Sequence, residues 1–154
     1  MHDKGTPMKL SKNFSLEEFL ISQTAVRHGL DMTPPPEVIE NLQRLVTTGL
    51  QPLRDHVGAG IFINSGYRSP ELNGLIGGSK TSAHMTGDAA DIRVTGWPPY
   101  ECAQLIIELE LPFDQVIQEF ASWVHWGMAD ILRGEKLTAY KEGTKTRYKF
   151  GIHR

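Results

Sequence analysis

Prolines fix where helices in this chain can begin. Thr33-Pro34-Pro35-Pro36 ends whatever precedes it and presets a helix start, because proline fits the first helical turn but not the interior. From there Val38, Leu42, Leu45, Val46, Leu53 and Val57 recur on one helical face until Gly58 and Gly60 stop the run. Pro52 lies inside it, so a kink or two abutting helices is expected near Gly49-Leu50-Gln51. Pro98-Pro99 opens a second helix carrying Cys102, Leu105, Ile106 and Leu109. Upstream, Ser15-Leu16-Glu17-Glu18 has the form of a capping box, which predicts a short helix over about 15–22 presenting Leu16, Phe19 and Leu20 to a core.

Elsewhere the pattern is that of strands. Ile61-Phe62-Ile63 reads as a short buried strand that delivers residues 64–70 as a turn, with a brief helix at 71–76 and a loop at Gly77-Gly78-Ser79. Residues 89–94 alternate, with Ala89, Asp91 and Arg93 on one face and Ala90, Ile92 and Val94 on the other. Residues 115–120 and 123–128 read as two strands joined tightly at Ala121-Ser122, and 137–150 as a hairpin turning at Glu142-Gly143. The pattern predicts an α+β domain with a small, mostly antiparallel sheet flanked by helices.

The 154 residues make one domain (1–154, with 1–12 expected to be flexible). Apolar residues are 40% and charged residues 22%, with a net charge of −2, a balance that supports a core and argues against disorder. No apolar run approaches the ~18 residues of a membrane span. Met1 to Pro7 lacks the apolar core of a signal peptide, so synthesis in the cytoplasm without an export signal is expected. One cysteine, Cys102, excludes an intramolecular disulfide framework and a cysteine-based zinc site. Charge is uneven: residues 133–154 carry +5 and residues 1–132 carry −7. The basic segment reads as a solvated lysine-rich hairpin, since no nucleic-acid-binding motif accompanies it; whether it adds affinity for an anionic wall polymer is open.

Of six histidines, two stand in unusual company: His84 within Ser82-Ala83-His84-Met85-Thr86-Gly87-Asp88-Ala89-Ala90-Asp91, and His125 within Trp123-Val124-His125-Trp126. Two neutral imidazoles and one carboxylate can hold a divalent ion and leave a coordination position open, the usual arrangement of catalytic zinc. Gly87 lets the chain reverse between His84 and the strand bearing Asp91. The same donor set also serves Fe(II) oxygenases, although those place the first pair as His-x-Asp/Glu rather than seven residues apart. His2, His28, His56 and His153 have no metal-like neighbourhood and read as solvated, as does Asp88. Trp123 and Trp126 fall on opposite strand faces, one for the core and one for a cleft, and Cys102 reads as a buried apolar residue.

The wording around these residues is more specific. Ser-x-His-x-x-Gly-x-Ala-x-Asp, matched from Ser82 to Asp91, resembles the metal motif of the M15 peptidases, the zinc D-alanyl-D-alanine carboxypeptidase and dipeptidase family that shares its fold with the hedgehog signalling domain. Ser65-Gly66-Tyr67-Arg68 resembles the family's Ser-Gly-Tyr-Arg segment, and Trp123-Val124-His125 its Trp-x-His segment. The likeness runs from about Asn13 to Ile152, and its opening and closing segments look most like short phage and prophage members.

The resemblance implies one Zn2+ per chain on His84, Asp91 and His125. It implies Arg68 as the cation that holds a substrate carbonyl and steadies the oxyanion, and Ser82 as either a substrate contact or a loop cap. Dipeptidases of the family have Glu three residues before the last histidine; here that position is Ser122, which cannot act as a base. The nearest acid is Glu119, six residues before His125, and a tight hairpin would bring it to the site as general base. The implied function is hydrolysis of D-amino-acid-containing peptidoglycan peptides, as a carboxypeptidase or an endopeptidase, by a monomer with no nucleic-acid partner. The implied setting is a phage lytic enzyme released through a separate pore, or a virion component. The alternative is a catalytically silent zinc-containing wall- or partner-binding module of the same fold.

Overall fold

The computed structural model of the protein describes residues 8–154. The capping-box segment forms only a 3₁₀ turn, Leu16–Phe19, with the Glu18 carboxylate accepting from the Ser15 amide at 2.7 Å. It stops short of the expected helix because Ser22 caps a new one, α1 (Gln23–Arg27), its hydroxyl accepting from the Ala25 amide. Leu16 and Phe19 are buried. Leu10, within the segment expected to be flexible, is also buried, and its amide donates to the Phe14 carbonyl.

The long helical run begins at Pro36 and divides into α2 (Pro36–Leu45), a π-helical turn (Val46–Leu50) and α3 (Gln51–Val57). The expected interruption therefore takes the form of one wide turn ahead of Pro52, which has no amide to donate. The hydroxyls of Thr47 and Thr48 donate back to the carbonyls of Gln43 and Arg44, at 2.8 and 2.6 Å. Gly58, at φ +63°, caps α3 in the left-handed conformation and ends the run.

The remaining elements are β1 (Ile61–Ser65), α4 (Pro70–Leu75), a 3₁₀ turn (Ala83–Thr86), β2 (Ala89–Val94), α5 (Pro99–Glu108), β3 (Gln115–Glu119), β4 (Trp123–Gly127), β5 (Glu135–Glu142) and β6 (Lys145–Phe150). Among the described residues the strands form one six-stranded sheet in the order β1-β2-β4-β3-β5-β6. Four pairings are antiparallel, but β3 and β5 run parallel, so the sheet is mixed. The cause is local. Residues 128–134 pass from the end of β4 across the start of β3, so Glu135 pairs with Gln115 and β5 leaves in the same direction as β3. Asp114 holds that connection, its carbonyl accepting from Glu135 and its carboxylate from the Arg133 amide and guanidinium. β5 and β6 form the expected hairpin, turning at Gly143 (φ +66°) and Thr144.

One face of the sheet packs against helices. Ala90, Ile92 and Val94 of β2, Val124 and Trp126 of β4 and Val116 of β3 meet Leu42, Leu45, Leu50 and Ile106 in a single core. Trp126 lies at its centre, with its indole N–H donating to the Pro112 carbonyl at 3.0 Å. Cys102 is buried there as expected, and burial pushes its thiol up to about 12. β1 departs from the expectation of a buried strand: Ile61 is buried but Phe62 is 67% exposed, because alternation puts Phe62, paired with Arg93, on the sheet face opposite the core. The opposite face of the sheet carries Asp91, His125 and Glu119. Among the described residues no helix is long and apolar enough to cross a membrane.

Candidate metal centre

Strand register brings the first two candidate ligands together. Asp91 of β2 and His125 of β4 are direct partners, so both side chains stand on the same sheet face, and His125 Nδ1 lies 2.9 Å from Asp91 Oδ1. His84 comes from the 3₁₀ turn before β2. Its Nδ1 lies 2.7 Å from the Gly66 carbonyl, a contact that requires a proton on Nδ1 and leaves the Nε2 lone pair free for a metal. That Nε2 points at Asp91 Oδ1, 3.3 Å away. Gly87, at φ +79°, reverses the chain between His84 and β2 as the sequence predicts, and a Cβ there would sit 2.6 Å from the Val38 carbonyl. One ligand atom from each of the three residues lies within 4.8 Å of the others.

One buried and one half-buried imidazole against a buried carboxylate form a group that can hold a shared cation. Burial alone would raise the Asp91 pKa, but the hydrogen bonds and charge of His125 and His84 outweigh it and hold the carboxyl well below the usual carboxylate range. The nitrogen and oxygen donors, the fixed His84 tautomer and the adjoining cleft suit a three-ligand divalent metal site.

The other predicted residues surround this cluster. Arg68 follows β1, with Nη2 3.5 Å from Asp91 Oδ2 and Nε donating to the Ser65 hydroxyl at 3.2 Å. Its guanidinium thus braces a candidate ligand rather than the backbone of its own turn. The Ser82 hydroxyl accepts from the His84 amide at 3.2 Å, capping the turn that carries His84, while Ser82 also lines the cleft. Glu119, at the end of β3, has Oε1 3.8 Å from His125 Nδ1. The tight hairpin responsible for this is real. Phe120 and Ala121 both adopt positive φ, and the Ser122 amide donates back to the Glu119 carbonyl. Burial and the charge of Asp91 raise the Glu119 pKa, outweighing the opposing effects of His125, Arg68 and the Trp123 N–H. Ser122 is exposed and lines a different cavity, beside Trp97 and Cys102.

Together these residues line a cleft of about 440 Å³. Trp123 faces it and Trp126 the core, as the alternation implies. Arg133 and Tyr148 also line it, and sequence reasoning missed both. They come from the basic C-terminal segment, whose parallel docking against β3 no local pattern announces. Asp88 corrects an expectation: it is half-buried and ion-paired to Arg44 at 2.7 Å, tying α2 to the ligand turn rather than being solvated. His28, His56 and His153 are exposed, and His2 lies outside the described residues.

Residues 12–127 match the family model described as peptidase M15. The chain belongs to the peptidase M15 family. The matched stretch contains Arg68, all three candidate ligands and Glu119, and ends before Arg133 and Tyr148. A search of the curated proteins finds no match to the chain.

Proposed function

We propose that this M15 peptidase uses zinc on His84, Asp91 and His125 to hydrolyse D-amino-acid-containing peptides of bacterial peptidoglycan. The observation that carries the reading is the convergence of two imidazoles and a carboxylate on the floor of a cleft, with a raised-pKa carboxylate 3.8 Å away. Zinc held there supplies a Lewis acid and lowers the pKa of water toward ~7. Glu119 accepts a proton from the attacking water as the new C–O bond forms, and returns it to the amine as the C–N bond breaks. Arg68 donates to the carbonyl oxygen and stabilises the negative charge that develops on it. His84 is held by the Gly66 carbonyl in the tautomer that leaves Nε2 unprotonated for the metal, and Ser82 fixes the turn that carries it. The fold shared with the hedgehog domain and the setting of a phage lytic enzyme belong to the same proposal, and rest on the Ser-Gly-Tyr-Arg, Ser82–Asp91 and Trp-x-His segments.

The test is elemental analysis of the purified protein, followed by digestion of sacculi with mass analysis of products, with and without chelator. One zinc per chain and chelator-sensitive release of peptides is the expected result. One zinc without cleavage would replace the enzyme reading with a binding module, and no zinc would overturn the ligand assignment.

A further inference from the structure

Arg68 walls two cavities. One is the metal cleft; the other, of about 530 Å³, runs along all five residues of β1 and is closed by α1 and α4. Among the described residues β1 is an edge strand paired with β2 alone, so its outer edge offers backbone groups that no other described strand takes. The walls of this groove include Ile21, Phe62 and Ile76, which are 73%, 67% and 46% exposed. An exposed strand edge flanked by apolar side chains recognises extended peptide by adding a strand. Five residues of strand span about 16 Å, room for four or five residues of extended chain. At the point where groove and cleft meet, Ser65 of β1 is the register partner of Asp91.

The metal cleft itself is poorly suited to a terminal carboxylate. Of its two cationic walls, Arg68 is the group assigned above to the scissile carbonyl oxygen, and Arg133 is held by Asp114 through both Nε and Nη2, so neither is left for a terminal carboxylate. Among the described residues no other arginine or lysine lines it.

Resting on the peptidase reading above, we infer that the β1 groove binds the substrate chain on one side of the scissile bond, and that the enzyme cuts within a peptide rather than trimming its C-terminal residue. The substrate lies extended from the β1 edge, past Arg68 and across the metal cleft.

The test pairs binding with product analysis. Phe62→Asp and Ile21→Asp alter exposed side chains that do not line the metal cleft, and their zinc content and thermal unfolding verify an intact site and fold. Fluorescence polarisation with a labelled synthetic wall stem peptide should show binding weakened at least tenfold in both variants. Mass analysis of digested sacculi and of cross-linked muropeptides should show internal cleavage. Wild-type binding in both variants, or release of single terminal residues only, would overturn the inference. Groove-dependent binding without any hydrolysis by zinc-loaded protein would retain the groove as a peptide site and sink the peptidase reading instead.

Discussion

Glu119 and Cys102 show how position sets the chemistry of a side chain. Both are removed from water, and both resist ionisation for that reason. Glu119 borders the cleft, and its raised pKa makes its carboxylate a stronger proton acceptor than an exposed glutamate. Glu119→Gln keeps the shape of the side chain and removes the base. Zinc content should be unchanged while turnover of wall peptide falls roughly 10²–10⁴-fold, the usual contribution of a general base. Retained turnover would move the role to another group. Cys102 is 1% exposed in the apolar core, and its thiol is pushed up to about 12. The thiolate is the reactive form, so the folded protein should not react with a thiol reagent at pH 8 and one equivalent should appear on denaturation. Rapid labelling of the folded chain would contradict that burial.

At the scale of elements, the π turn and the central tryptophan are fitted to each other. Gly49 occupies the turn where a Cβ would meet the Trp126 ring at 2.7 Å. The ring is fully buried and its N–H is committed to Pro112, so it has little freedom to withdraw. Alanine is the better helix former, and on propensity alone Gly49→Ala should stabilise by up to ~1 kcal/mol. Overpacking costs about 1–3 kcal/mol and should win here. Urea denaturation should show a lower midpoint with an unchanged slope; a higher midpoint would mean that the turn yields. The helix before the turn, α2, carries Arg44, whose bridges to Asp88 and Asp130 link it to the turn bearing His84 and to the connection before β5.

At the scale of the molecule, the candidate ligands stand on a turn, β2 and β4 and converge only through the β2–β4 pairing, so a metal there would bind the folded chain in preference to the unfolded one. Its binding energy is then folding energy, about 2.7 kcal/mol when free zinc is a hundredfold above Kd. For a domain of this length that corresponds to roughly 5–11 °C in Tm. Chelator should lower the melting temperature of zinc-loaded protein by that order. Asp91→Asn, which keeps the side-chain shape, should abolish most of the difference. An equal chelator effect in both proteins would place the stabilising ion elsewhere.

Much of this molecule was legible along the chain. The helix starts at Pro36 and Pro99, the stop at Gly58, the two faces of β2 and the hairpin turn at Gly143 are set by φ restrictions and side-chain alternation, which act over a few residues. The Ser82–Asp91 segment was equally local: its likeness to the M15 metal motif singled out His84 and Asp91, and Gly87 at positive φ reverses the chain between them. The tertiary structure alone decided the rest. Parallel pairing of β5 with β3 depends on how residues 128–134 cross the sheet, and that crossing carries Arg133 and Tyr148 into the cleft. The half-exposed edge strand, the groove beside it and the Asp88–Arg44 bridge likewise arise between segments distant in sequence. Local rules specify conformation at each residue; which surfaces then meet is fixed by burial of the whole apolar set, a property of no single segment.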